Sequence, residues 1–182
     1  MKPKVRFFAN DQGFTIIELM ITITIAAILL MLGIPSFTTF IGNQKLIATA
    51  SEFYSAVNLT RSEAIKRGAR VDLVPNNGVS WNSGWTVFID VNSNQLVESS
   101  ETILFKHDAI SSDITIASTS INPYISYIGN GRTRTNVSSQ TPGPCTVSFT
   151  YATTIRRVAI NFLGRSRICN PSNDLTCTPS AS

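Results

Sequence analysis

The strongest constraint on this chain is a long apolar segment near its N-terminus. No charged residue occurs from Leu19 to Phe40, a run of 22 residues. An α-helix rises about 1.5 Å per residue, so a helical run of this length spans roughly 33 Å, close to the hydrocarbon core of a bilayer. The length favours a membrane-embedded helix over the alternative of a helix buried in a protein core.

The charges before this segment indicate its orientation. Lys2, Lys4 and Arg6 precede the apolar run, against the acid Asp11 in the same stretch. Positively charged flanks stay on the cytoplasmic side of a membrane helix. We therefore expect a single-pass protein with a cytoplasmic N-terminus, whose remaining residues lie on the other side of the membrane.

The three cysteines, Cys145, Cys169 and Cys177, all follow the membrane segment. They would lie in a compartment where disulfides are permitted. Three cysteines cannot all pair, so one stays reduced, pairs with another chain or is lost in maturation. Spacing leaves three single bridges open: Cys169 with Cys177 would close a short loop, and Cys145 with either would tie a strand to the tail.

A glutamate lies just before the apolar run, and the best processing site lies before that glutamate. A secretory signal is cut after its apolar stretch, whereas here the junction is Gly13–Phe14. Cleavage there would keep the apolar segment in the mature chain, with Glu18 as its fifth residue. A lone carboxylate in hydrocarbon is costly and usually has a partner and a function. The alternative is a plain signal anchor with Glu18 near the lipid headgroups.

The segment "GFTIIEL", preceded by a short basic leader, resembles the type III signal of type IV prepilins and pseudopilins. The resemblance implies cleavage after Gly13 by a membrane prepilin peptidase and N-methylation of Phe14. It also implies that Glu18 pairs with the new α-amino group of Phe14 on a neighbouring subunit during assembly.

Apolar periodicity continues beyond the membrane segment and predicts one helix from about Thr15 to Arg67. The expected organisation is a leader (1–13), a membrane and assembly stem (14–40), an amphipathic half of the helix (41–68) and a β-rich head (69–182). The apolar face of the second half comprises Leu46, Ala50, Phe53, Val57, Ala64 and Ile65. The charged residues Arg61, Glu63 and Lys66 are expected on a solvated face.

Short β-type runs separated by turn residues follow Gly68. Seven strand candidates are "ARVDLVP", "GWTVFID", "ETILFKH", "DITIAS", "YISYIG", "CTVSFTY" and "RRVAINFLG". The fold class is therefore α+β: a long N-terminal helix packed on an antiparallel sheet, or on two small sheets.

Three motifs together resemble the GspH/FimT family of H-type pseudopilins and minor pilins: "LTRSEAIKRG", "WNSGWTVFID" and "RRVAINFLGRSRIC". The resemblance implies a pilin-like fold and a minor subunit that sits near the tip and helps to start assembly of a type IV pilus. The alternative is an H-type pseudopilin of a type II secretion system. Implied partners are other major and minor pilins or pseudopilins, the prepilin peptidase and the inner-membrane assembly platform. The implied location is the inner membrane with a periplasmic head, then the pilus or pseudopilus.

Charge is divided unevenly along the head. Residues 72–113 carry six acids and one lysine, a net charge of −5, whereas residues 121–182 carry six arginines and one aspartate, a net charge of +5. The basic part contains two similar motifs, "GRTR" (Arg132 and Arg134) and "GRSR" (Gly164, Arg165 and Arg167).

Arginines at alternate positions of an extended segment face one side and can bridge adjacent phosphates. FimT-like minor pilins are associated with DNA capture through a C-terminal GRxR motif, so the resemblance implies sequence-independent, salt-sensitive binding of double-stranded DNA. The alternatives are a solvated edge, or contacts with an acidic face of the next subunit.

The segment "DVNSNQLVESSE" is similar to a calcium-binding loop. Asp90, Asn92, Asn94, Glu98 and Glu101 fall at loop steps one, three, five, nine and twelve. The glycine expected at step six is replaced by glutamine, and no second helix is predicted, so we favour a polar hairpin loop without metal.

The sequence offers no catalytic constellation. His107 is the one histidine, and it has neither a nucleophile motif nor metal-ligand spacing around it. We expect a structural subunit that needs no cofactor and has no enzymatic activity.

Overall fold

The computed structural model describes residues 13–119, 123–134 and 145–179. Helix α1 runs from Ile16 to Arg67. Thr15 caps its start, because the Thr15 hydroxyl oxygen accepts a hydrogen bond from the Glu18 N–H (3.2 Å). Gly68 follows the last helical residue, and its φ of +61° is typical of the position after a helix C-terminus.

The chain forms two compact units, one up to Phe40 and one from Ile41 to Ser182. In the first unit the large apolar side chains from Ile16 to Met31 are exposed, and the side chains of residues 32–36 lie outside the description. Within the described residues, no helix is long and apolar enough to cross a membrane.

The second unit contains two antiparallel four-stranded sheets. Their strands are β1 (Val71–Pro75), β2 (Trp85–Ile89), β3 (Ile103–His107), β4 (Thr115–Ser118), β5 (Ile125–Tyr127), β6 (Cys145–Tyr151), β7 (Thr154–Ile160) and β8 (Ser166–Cys169). The first sheet has the order β3-β2-β1-β5, and the second has the order β4-β6-β7-β8. A short 3₁₀ turn at Trp81–Ser83 precedes β2.

Both sheets pack on the amphipathic half of α1, and Phe53 lies at the centre of the contact. Its ring packs edge-on against Trp85 of the first sheet (5.1 Å between ring centroids) and Phe149 of the second (5.4 Å). It also packs against Trp81 at 5.1 Å. One buried side chain therefore joins the helix to both sheets.

The structure confirms the α+β class and the antiparallel head, here as two sheets. The predicted apolar helix face is buried except at Ile65, which is 51% exposed. Strand β8 was not predicted, because it is short and only Ile168 and Cys169 in it are apolar. Pairing with β7 supplies the backbone hydrogen bonds that hold it.

A buried polar cluster lies on the face of the first sheet that points away from the core. The carboxylate of Asp72 accepts hydrogen bonds from Arg70 (3.0 Å) and from the Ser126 hydroxyl (2.5 Å). Asp90 also approaches Arg70 at 3.4 Å, so two buried carboxylates share one guanidinium. Burial raises the pKa of Asp72 to about 7, although the Arg70 hydrogen bonds oppose this.

This cluster predicts that folding stability falls as the pH rises from the acid range through about 7. The pKa of Asp72 is about 7 when folded, against 3.8 for an exposed aspartate. Its contribution to stability is therefore fully present below pH 3.8 and is lost as the pH rises through about 7. The unfolding free energy of the wild type, measured by urea denaturation, should fall by roughly 1–3 kcal/mol between about pH 5 and 8. In Asp72→Asn this fall should be absent. An unchanged pH dependence in the variant would contradict the assignment.

Candidate nucleic-acid interface

The two arginine motifs form the same backbone turn. In the first, Gly131 N–H donates to Ile128 O (2.8 Å) and Ile128 N–H donates to Arg132 O (3.2 Å). In the second, Gly164 N–H donates to Asn161 O (2.9 Å) and Asn161 N–H donates to Arg165 O (3.0 Å). Each glycine has a positive φ, +75° and +78° respectively, as in a turn followed by a bulge. Arg132 and Arg165 thus occupy equivalent positions. We call residues 128–132 and 161–165 the arginine turns.

The arginine turns lie directly against each other. A Cβ atom on Gly164 would come within 2.2 Å of the carbonyl oxygen of Gly131. The turns belong to different sheets, because one follows β5 and the other joins β7 to β8. The structure therefore brings together two motifs that are 33 residues apart in the sequence.

Tyr127 fixes the contact between the turns. Its hydroxyl donates to Gly164 O at 3.0 Å, and its backbone forms a bridge with Thr133 beyond the first turn. Burial raises the pKa of Tyr127 well above its usual value. The hydroxyl therefore stays protonated and remains a donor at neutral pH.

Helix α1 also holds the first turn. The Arg61 Nε–H donates to Gly131 O at 3.0 Å, so the prediction that Arg61 lies on a solvated face is wrong. The carbonyl of Gly131 is oriented towards the helix and needs a donor there. Glu63 is half-buried and forms ion pairs with the exposed residues Lys66 and Arg67, and the Arg67 hydrogen bond lowers its pKa.

The arginines of the first motif are half-buried. Arg134 donates through its backbone N–H to Ser126 O (3.1 Å) and through Nη1 to Thr133 O (3.2 Å). Within the described part of the chain, the Nε atoms of Arg132 and Arg134 are buried and have no hydrogen-bond partner.

The two arginines of the second motif differ from each other. Arg165 is exposed, and its guanidinium makes no hydrogen bond or ion pair with any described residue. The Arg167 guanidinium instead contacts Asp174 at 3.3 Å and the Thr176 carbonyl at 2.6 Å. The sequence pattern treated them as an equivalent pair, whereas the structure gives one of them an internal partner.

A disulfide joins Cys169 to Cys177, which decides among the three bridges that the sequence left open. It ties the end of β8 to the loop that contains Asp174. Cys145 lies outside this bridge, buried in β6, with its sulfur 3.3 Å from the Ser118 hydroxyl oxygen.

The loop at 90–101 is held by its own hydrogen bonds. Asp90 accepts from the N–H groups of Asn94 and Gln95, and Glu98 accepts from the side-chain amides of Asn92 and Asn94. Glu101 accepts from the N–H groups of Val91 and Glu98. No group of three His, Cys, Asp or Glu side chains suited to a metal occurs among the residues described.

The one histidine is part of the packing. The His107 ring stacks on Trp85 (4.1 Å between centroids) and its Nε2 lies 3.2 Å from Glu52. These contacts tie β3 to α1.

The predicted processing site lies immediately before α1. Gly13 and Phe14 precede the capping Thr15, and Phe14 is exposed. Glu18 lies in the first turn of the helix, where a negative charge is favourable. Residues 1–12 of the predicted leader lie outside the described residues.

Two segments of the chain match known protein families. Residues 49–164 match the family described as "Type II transport protein GspH". The chain belongs to the GspH family. Residues 8–34 match the prokaryotic N-terminal methylation motif. The family match ends at Gly164, so Arg165 and Arg167 lie just outside it.

Solved structures show the same pilin-like fold. The type IV minor pilin FimU of Pseudomonas aeruginosa (strain PAO1) is 20% identical and superposes with a TM-score of 0.59, covering 73% of this chain and 94% of FimU. The minor pseudopilin EpsH from the type 2 secretion system of Vibrio cholerae is 14% identical, with a TM-score of 0.52 and coverage of 70% and 98%. A search of curated proteins found no match. The family and these structures are pilin-type subunits, in line with a structural role.

Sequence reasoning missed three residues that build the interface: Tyr127, Arg61 and Asp174. The repeated G-R-x-R pattern indicated two similar turns, and the structure confirms that they share one backbone conformation. Nothing in the pattern indicated that they touch, because that contact depends on how the two sheets pack.

The close approach of the turns predicts that residue 164 must be glycine for full folding stability. Alanine there would meet the Gly131 carbonyl oxygen as well as a strained positive φ. Gly78 is a matched control, because its φ is +72° and nothing lies within 4 Å of its added Cβ. Gly78→Ala should cost about 1 kcal/mol of unfolding free energy, and Gly164→Ala should cost at least about 2 kcal/mol more. Equal losses in urea denaturation would mean that the turns do not pack as described.

Proposed function

We propose that this chain is a minor pilin near the tip of a type IV pilus, where it helps to initiate assembly and binds double-stranded DNA through the arginine turns. The observation that carries the proposal is the packing of Gly164 on Gly131. This contact places Arg132 and Arg165, from two sheets, at the same kind of position on adjoining turns.

Phosphate is the chemistry that fits these turns. Arginine presents a planar fork of donors that matches phosphate oxygens, and it stays charged at any physiological pH. Turns that present guanidinium groups without a helix or ribbon for the major groove recognise the backbone rather than base edges. Binding should therefore be independent of sequence and should weaken steeply with salt.

Anchoring and assembly complete the proposal. Prepilin peptidase cuts after Gly13, Phe14 is N-methylated, and Glu18 pairs with the Phe14 amino group of a neighbouring pilin. Before assembly, residues 14–40 hold the chain in the inner membrane, with a cytoplasmic N-terminus and a periplasmic head. The match of residues 8–34 to the methylation motif and the charge-free run from Leu19 to Phe40 support this part. Other pilins and the assembly platform are the partners, and the role is structural rather than catalytic.

The second candidate is an H-type pseudopilin of a type II secretion system that does not bind DNA. The description of the family as a type II transport protein and the likeness to EpsH favour it. In that role the arginine turns would contact an acidic face of an adjacent subunit. The net charge of −5 over residues 72–113 is the observation that makes such a contact reasonable.

DNA binding is tested by removing Arg165. The full chain, in a neutral detergent, is titrated with a short DNA duplex over a range of salt concentrations. Arg165→Ala should weaken binding about threefold to tenfold and should reduce the salt slope by about 0.9, as expected for one lost phosphate contact. The physical reason is that the exposed guanidinium of Arg165 is available to a phosphate without breaking an internal bond.

Lys106→Ala is the matched control, because it also removes one positive charge. Lys106 is exposed on β3, at the opposite edge of the first sheet from β5. Its removal should leave affinity and salt slope nearly unchanged. If the wild type fails to bind duplex at low salt, DNA binding is contradicted and the pseudopilin candidate is favoured. If both variants lose affinity equally, binding through the arginine turns is contradicted.

Processing is tested by intact mass after co-expression with a prepilin peptidase. The wild type should lose residues 1–13 and gain one methyl group on Phe14. Gly13→Val should keep its leader, because a branched side chain replaces glycine beside the cleaved bond. Gln12→Val places the same side chain one position earlier and should still be cleaved. Cleavage of the Gly13→Val chain at the same bond would contradict the assignment of Gly13.

A further inference from the structure

Arg167 is held by the loop that follows β8. Its Nη1 lies 3.3 Å from Asp174 Oδ2 and donates to the Thr176 hydroxyl oxygen at 3.0 Å, while its Nη2 donates to the Thr176 carbonyl at 2.6 Å. The side chain is nevertheless 48% exposed. The Arg167 guanidinium is therefore accessible to an incoming anion, but its donors already contact Asp174 and Thr176.

The loop is built to hold this contact. The disulfide Cys169–Cys177 closes it at both ends. Asp174 Oδ1 accepts from both the N–H (2.8 Å) and the hydroxyl (2.6 Å) of Thr176, and Asp174 O accepts from Cys177 N–H at 3.0 Å. The guanidinium of Arg157 also donates to the Cys177 carbonyl. The carboxylate is therefore positioned by the loop itself, independently of Arg167.

We propose that the disulfide-closed loop 170–177 is a built-in competitor for DNA phosphate, in which Asp174 occupies Arg167 until a phosphate displaces it. The inference rests on the proposed DNA binding. In the resting chain Arg165 contributes to phosphate binding, whereas Arg167 contributes only after its contacts with Asp174 and Thr176 are exchanged for a phosphate oxygen.

An exchange of this kind is physically reasonable. A carboxylate and a phosphate diester each carry one negative charge and offer oxygen acceptors to the same guanidinium fork. The ion pair is partly exposed, and exposed pairs are weak, so a phosphate held nearby by Arg165 can compete with it. The effect is to lower affinity for DNA without removing the arginine.

Asp174→Asn tests the proposal with little disturbance of the loop. The asparagine oxygen can still accept from Thr176, whereas the negative charge that faces the Arg167 guanidinium is removed. The duplex titration in detergent should show affinity raised about threefold to tenfold, with a salt slope steeper by about 0.9. Asp113→Asn is the matched control, because it changes net charge equally at an exposed acid and should leave both quantities nearly unchanged.

A double-mutant cycle assigns the gain to Arg167. Arg167→Ala should weaken binding less than Arg165→Ala in the wild-type background. In the Asp174→Asn background, Arg167→Ala should remove the whole gain in affinity. Equal effects of Arg167→Ala in the two backgrounds would overturn the competition.

The outcomes separate this inference from the proposed function. If Arg165-dependent binding is present but Asp174→Asn behaves like Asp113→Asn, only the competitor is overturned. If no variant binds duplex, both the proposal of DNA binding and the proposal of competition are wrong.

A measurement without DNA tests whether Asp174 occupies Arg167. Phenylglyoxal should modify Arg167 several-fold faster in Asp174→Asn than in the wild type, with Arg165 as internal reference. An unchanged rate would overturn the occupancy.

Discussion

Burial of the second half of α1 between two sheets is the interaction on which the rest of the head depends. Phe53 contacts aromatic rings from both sheets, so neither sheet can move on the helix without losing part of the same contact. Buried aromatic side chains contribute large apolar areas and prefer edge-on geometry. Both sheets therefore pack on the same helix, and the helix fixes how the ends of the two sheets meet.

The arginine turns meet because of that arrangement. Each turn needs a residue with positive φ before its arginine, and each has glycine there. Only glycine at position 164 also leaves room for the Gly131 carbonyl. Arg61 from the helix and Tyr127 from the first sheet then satisfy the two turn carbonyls. The arginine turns are held together by close packing and by two hydrogen bonds, one donated by the charged guanidinium of Arg61 and one by the neutral hydroxyl of Tyr127.

Local pattern in the sequence was sufficient for the helix ends, the seven predicted strands and the antiparallel class. Local pattern cannot show which residues meet across sheets. Strand β8 exists because β7 offers it a partner, and Arg61 leaves the solvated face because Gly131 lies beside it. Arg167 looked equivalent to Arg165 in "GRSR", yet the pairing of Cys169, one of three arrangements that spacing allowed, gives Arg167 an acidic neighbour.

The acidic part of the head is less available than its net charge suggests, and this bears on what the arginines contact. Of its six acids, Asp72 and Asp90 are buried around Arg70, and Glu98 and Glu101 accept hydrogen bonds within their own loop. A subunit contact would have to draw on the remaining acids or break these bonds. The phosphates of a DNA duplex are not engaged in internal hydrogen bonds of this kind, and they are spaced regularly along the backbone. An acidic face formed by residues 72–113 of a second copy would therefore offer the arginine turns fewer free carboxylates than its net charge of −5 suggests.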